Sequence, residues 1–236
     1  MRALALPFDG LPAALGARVD RFGFGHARSV HVRRRAEIFC KLTACSASRD
    51  ERPIEHGTRV LQLPSLPPAP PVATLRSLAP AVPVLRAGTL LWRIYFRAGA
   101  HPSRWNGFRA FGPTNARFDH HPPPAKRHRT RAILYAAESG PTSLAEVFQQ
   151  TRVIDRTANS PALAAFRLTR DVPLLDLTGM WPTRAGASMA IHSGSRVKAR
   201  AWSRAIYAAY QGIEVILYAS SMNANRPAFA LYERAR

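Results

Sequence analysis

Residues 86–236 read as an α+β domain with a mixed sheet, and three observations predict it. Short segments rich in branched and aromatic residues outnumber helical ones. Strands and helices do not alternate strictly, which disfavours a doubly wound sheet. Seven of the 20 prolines fall in residues 63–83, just upstream of this patterned part, so packing is expected to start after them.

Taken in order, residues 1–60 follow neither the helical nor the strand period. Residues 63–83 read Leu-Pro-Ser-Leu-Pro-Pro-Ala-Pro-Pro-Val through Ala-Val-Pro, an extended linker. Residues 1–85 are therefore expected to be a low-structure extension, with the domain boundary near 86. Gly23-Phe24-Gly25 lacks a flanking strand and helix and is not read as a dinucleotide loop. Leu90–Phe96 and Ile133–Ala137 are predicted strands, the second ending at the Ser139-Gly140-Pro141 break. A helix is predicted over about 143–150. Strands follow at Leu163–Leu168 and Pro173–Leu177. Arg196–Tyr210 is a helix with Ala199, Trp202, Ile206 and Ala209 on one face, stopped at Gln211-Gly212. Ile213–Ala219 and Ala228–Tyr232 close the domain as strands.

The formal charge is +20, from 34 Lys and Arg against 14 Asp and Glu. Such a surplus attracts polyanions. Only Lys41, Lys126 and Lys198 are lysines, and arginine-heavy, alanine-heavy usage is also what a GC-rich genome writes. The charge is therefore discounted as a sign of nucleic-acid binding. Cys40 and Cys45 have no second pair to complete a zinc site, and this usage suits a reducing, cytoplasmic compartment. No apolar run approaches membrane-spanning length, and Pro7 and Asp9 break the opening too early for a secretory core.

Four segments carry the candidate chemistry: Leu91-Trp92-Arg93-Ile94-Tyr95, Ala116-Arg117-Phe118-Asp119, Ile133-Leu134-Tyr135-Ala136-Ala137 with Ser143-Leu144-Ala145-Glu146-Val147-Phe148, and Ala201-Trp202-Ser203. Arg93 interrupts a large apolar strand, so its charge must face a cleft or a partner. Glu146 has two readings. Ser143-x-x-Glu146 forms a helix capping box. Alternatively the carboxylate, about 160° from the middle of the apolar stripe, faces a cleft. Tyr135 is either a core tyrosine or a stacking ring, and Ser203 a helix-surface serine or a hydrogen-bonding site residue. His120 and His121 lack a second ligand cluster, so no metal is predicted. The run Lys126-Arg127-His128-Arg129-Thr130-Arg131 reads as an exposed basic loop.

In this order and spacing the four segments resemble the RES family, named for its Arg, Glu and Ser. Leu174-Leu175-Asp176-Leu177-Thr178 and Leu217-Tyr218-Ala219-Ser220-Ser221 also match. The resemblance implies a fold similar to ADP-ribosyltransferases and NAD as substrate. It further implies a toxin role, paired with a helix-turn-helix antitoxin of Xre type that blocks the NAD cleft. On that footing Arg93 and Arg117 would hold the pyrophosphate. Glu146 would stabilise an oxocarbenium-like state as the nicotinamide–ribose bond breaks. Tyr135 would stack on nicotinamide, and Ser203 would bind phosphate or ribose or orient Glu146. Glycosidic hydrolysis, phosphorolysis and ADP-ribosyl transfer stay open. Ala116 stands where the family usually has Gly; a positive φ there would strain it and point to an inactive member. The other alternative is a basic module that binds nucleic acid or a partner, marked by a steep loss of affinity with salt.

Overall fold

A computed structural model describes residues 2–7 and 65–236 of the chain. The readings made of residues 8–64, including Gly23–Gly25, Cys40 and Cys45, lie outside the described residues.

The architecture is α+β around a mixed sheet. Its strands are β1 (Arg2–Pro7), β2 (Val84–Leu85), β3 (Leu90–Phe96), β6 (Ile133–Ala137), β7 (Pro161–Arg167), β8 (Val172–Asp176), β9 (Val215–Ala219) and β10 (Pro227–Tyr232). They lie in the order β1-β7-β3-β6-β10-β9-β8-β2. Of these pairings only β8 with β9 is parallel. A separate ribbon pairs β4 (Phe111–Gly112) with β5 (Lys126–Arg127). The described helices are α1 (Val72–Ser77), α2 (Gly140–Phe148), α3 (Trp181–Arg184), α4 (Ala190–Ser193) and α5 (Arg196–Ala209).

The sheet is covered on both faces, which is why its central strands read as unbroken apolar runs. Alternation sends successive side chains to opposite faces. In β10, Ala228, Ala230 and Tyr232 join the core beneath α5, while Phe229 and Leu231 join the opposite core with Leu91 and Phe166. In β6, Ile133 joins the first core, with Tyr135 packed against it, and Leu134 and Ala136 the second. The predicted inner face of α5 is buried at all four positions. Ser195 caps it by accepting from the Lys198 N–H.

The expected break near residue 86 is not a break in packing. Leu66 is 1% exposed and Leu75 fully buried, both in the core beneath α5. Trp202 Nε1 donates to Pro67 O at 2.9 Å, and the Tyr210 hydroxyl to Leu78 O at 2.9 Å. β2 adds to the edge of β8. Proline content removes amide donors but not the ability to bury leucines, so a Pro-rich segment can be a packed strap. The helix of α2 also starts three residues earlier than expected, because Ser139 rather than Ser143 is its N-cap.

Candidate active site

Ser139 Oγ accepts from the Thr142 N–H at 3.3 Å, and Pro141 occupies the first turn, where a missing N–H costs nothing. Ser143 is therefore inside the helix, and its hydroxyl donates to Trp92 O at 2.7 Å, pinning α2 to β3. This removes the capping-box alternative for Glu146. Its carboxylate instead reaches the end of β9: Oε1 accepts from Ser220 Oγ at 2.6 Å and Oε2 from the Tyr218 hydroxyl at 3.2 Å. Burial, then the adjacent Glu146 charge, push the Tyr218 hydroxyl well above its ordinary pKa, so it remains a donor.

Two cavities meet at this carboxylate. The larger, about 840 Å³, is lined by Arg93, Tyr135, Glu146, Tyr218 and the loop from Ala100 to Phe111, among others. The smaller, about 330 Å³, is lined by Arg117, His192, Arg196 and Gln149. Tyr135, Glu146, Val147 and Tyr218 border both. Both volumes are of the size small-molecule sites take.

Arg93 lies on β3 and lowers its guanidinium pKa to about 10 through burial. At neutral pH it stays charged. Its Nη1 donates to Trp105 O (3.0 Å) and Gly107 O (3.1 Å), shaping the loop above the larger cavity. Its buried Nε has no hydrogen-bond partner among the described residues. Arg117 Nη1 donates to Gly194 O at 2.6 Å. Burial and then Arg196 lower its pKa, opposed by Glu146 and Tyr218. The buried Tyr135 hydroxyl likewise has no hydrogen-bond partner among the described residues.

Ser203 is not brought to the cleft. It lines neither cavity and is fully buried, its Oγ donating to Phe118 O at 2.8 Å with the Tyr232 hydroxyl 3.4 Å away. It thus fixes the backbone next to Arg117 from behind. Ala116 is not among the residues at positive φ, so the Gly-to-Ala departure carries no backbone strain.

The Asp119-His120-His121 run is a structural anchor. Fully buried Asp119 accepts from Arg109 Nη2 (2.8 Å), Thr114 N (2.7 Å), Thr114 Oγ1 (2.9 Å) and the His121 ring. Burial raises its pKa, but these bonds outweigh it and hold the carboxyl well below the usual range. Among the described residues no group of three or more His, Cys, Asp or Glu could hold a metal ion.

Sequence reasoning missed Tyr218 and Ser220 as site residues, although their segment was noted; two hydroxyls closing a strand were the available signal. It also missed Arg196, whose Nη2 donates to Gln149 Oε1 at 2.7 Å, while Gln149 Nε2 donates to Glu146 O at 2.6 Å. His192 accepts from Ala219 N–H at Nδ1 (3.3 Å) and faces Leu177 O through Nε2 (2.9 Å), the pattern of a neutral ring. No motif marks either residue.

The arrangement defines an α+β protein with one positioned carboxylate between two arginine-bearing cavities. The RES domain matches residues 90–236, and the chain belongs to the RES domain family. No curated protein matches it in sequence. It is similar to a chain in the crystal structure of the M. tuberculosis MbcT–MbcA toxin–antitoxin complex, at 16% identity and a TM-score of 0.44, over 68% of this chain and 81% of that one. Among the described residues no helix is long and apolar enough to cross a membrane.

Proposed function

We propose that the chain is an NAD-consuming enzyme that breaks the nicotinamide–ribose bond. The observation that carries this reading is the Glu146 carboxylate, held by Ser220 and Tyr218 on the wall common to two cavities. Each carboxylate oxygen accepts one hydrogen bond there and keeps capacity for a second. That capacity suits a ribose hydroxyl or an attacking water. As the C1′–N bond breaks, the pyridinium nitrogen keeps the electron pair and nicotinamide leaves neutral. The positive charge grows on the ribose, where a fixed carboxylate stabilises it. In hydrolysis a water oxygen bonds C1′ and Glu146 takes up the proton released. With phosphate or a protein acceptor another oxygen or nitrogen takes the place of water.

Arg93 and Arg117, one in each cavity, supply forked donors for the pyrophosphate. Tyr135 offers its ring to the bound dinucleotide. Ser203 acts through Phe118 and Arg117 as a positioning residue. The family resemblance supports a toxin role, with neutralisation by a helix-turn-helix antitoxin of Xre type in the cytoplasm. A gene for a small DNA-binding protein beside this one is the corresponding observation to seek.

The test is nicotinamide release from NAD by the purified full chain, with and without phosphate and candidate protein acceptors. Wild type is expected to deplete NAD, and Glu146→Ala or Arg93→Ala to abolish it. Intact NAD under all these conditions sinks the reading.

A further inference from the structure

The larger cavity carries more positive charge than a pyrophosphate needs. Arg93, Arg104, Arg109 and Arg127 line it, against a single carboxylate among the described residues, Glu146. Arg93 is tied to Trp105 and Gly107, and Arg109 is paired with Asp119. Arg104 and Arg127 are exposed, and no ion pair among the described residues engages them. Unpaired guanidiniums on the wall of a cavity select an anionic group on its occupant.

Their setting narrows what that group is. Arg127 stands directly across the β4–β5 ribbon from Phe111. Direct cross-strand partners project to one face with Cβ atoms about 5 Å apart. Phe111 also lines the cavity and is 49% exposed, so its ring is accessible to a ligand on the same ribbon as Arg127. A purine stacks on such a ring. The group a few ångströms from a stacked adenine is its ribose.

In doubly wound dinucleotide-binding folds an unphosphorylated adenosine ribose is held by a carboxylate that accepts from the 2′-hydroxyl, a pairing that rests on the groups rather than on the fold. A 2′-phosphate is held by arginine instead. Among the described residues the only carboxylate lining this cavity is Glu146, which is engaged by Ser220 and Tyr218 at the partition with the smaller cavity. Near Phe111 the cavity therefore offers arginine and no carboxylate.

We propose that the larger cavity accepts the adenosine 2′-phosphate of NADP, with Phe111 stacking the adenine and Arg127 and Arg104 binding the phosphate, so that NADP is a substrate at least as good as NAD. This rests on the dinucleotide-cleaving reading of the site and names its substrate more narrowly. The bond broken is the same nicotinamide–ribose bond, and the 2′-phosphate stays on the product.

The experiment has a binding arm and a cleavage arm, both on the full chain. In the Glu146→Gln background, calorimetry measures the affinities of NADP and NAD with and without Arg127→Ala. NADP is expected to bind at least as tightly as NAD, and Arg127→Ala to lower the NADP-to-NAD affinity ratio about tenfold or more, as befits a charge-assisted contact. Phe111→Ala is expected to weaken both ligands. Binding of NAD with NADP more than tenfold weaker overturns the proposal, as does a ratio that Arg127→Ala leaves unchanged. Wild-type nicotinamide release from each substrate separates the two readings. Release from NAD alone overturns only the NADP proposal. Release from neither sinks the cleavage reading and with it NADP as a substrate, while the binding ratio still decides the 2′-phosphate site; binding of neither overturns that site.

Discussion

Ser220 Oγ donates a 2.6 Å hydrogen bond to Glu146 Oε1, joining the end of β9 to the outer face of α2 across 74 positions of sequence. Ser220 is fully buried, so this bond is sheltered from water. It fixes the orientation of the one carboxylate shared by both cavities.

Removing that hydroxyl tests positioning. Ser220→Ala is expected to reduce kcat for nicotinamide release about tenfold with little change in KM, since Tyr218 alone then orients the carboxylate. Glu146→Gln is expected to cost about 10²–10⁴ in kcat. An equal rise in KM without a fall in kcat for Ser220→Ala would make its role one of substrate binding instead.

Ser203 predicts a stability effect. Ser203→Ala leaves the Phe118 carbonyl without its donor in a fully buried setting. Urea unfolding is expected to show a loss of about 1–3 kcal/mol. Activity should fall by a rise in KM, because Arg117 is the neighbour of Phe118. Unchanged stability would mean that the carbonyl finds another donor.

Asp119→Asn addresses the loop that walls the larger cavity. The substitution deprives Arg109 and the His121 ring of a buried anion. Breaking a buried charge pair costs about 3–5 kcal/mol. Partial exposure of Arg109 places the expected loss at the lower end of that range. A thermal melt matching wild type would remove the anchor role.

Acid stability should fall in two stages. Burial lowers the pKa of the His120 and His192 rings, so the unfolded chain binds protons there more readily than the folded one. Their contribution is complete above about pH 6.5 and declines below it. Asp119 and Glu233 act lower. Burial raises both, but hydrogen bonds outweigh it: those from His121, Arg109 and Thr114 at Asp119, and those from His120, Ala132 and Tyr207 at Glu233. Glu233 is held at about 2. Their stabilisation is full above about pH 4.4 and is lost as pH falls below it. Melting temperatures between pH 8 and pH 3 check this. A Tm constant from pH 7 to pH 5 would show that the two rings protonate without cost.

Much of the sheet was legible because apolar runs mark strands buried on both faces. Leu90–Phe96 and Ile133–Ala137 fall within the residues expected, and the α5 face follows the helical period. Arg93, Arg117, Tyr135 and Glu146 do border the two cavities. What was not legible depends on distant pairing. Pro141 in the first turn favours Ser139 as the cap, but the capping-box spacing of Ser143 and Glu146 competes with it locally, and the contact that claims Ser143, the Trp92 carbonyl, is distant. The contact of Ser220 with Glu146 has no local trace either. Proline content hid the packing of residues 65–78, since a chain without helical periodicity still buries individual leucines.

That strap has a practical meaning for anyone cutting the gene. The family match begins at residue 90, but among the described residues buried side chains reach back to Leu66. A fragment trimmed to the family boundary would leave the Trp202 indole N–H and the Tyr210 hydroxyl without their carbonyls, and an oily groove along α5 open to solvent. A cut at the family boundary therefore removes chain that the remaining domain packs against, β1 on the sheet edge included.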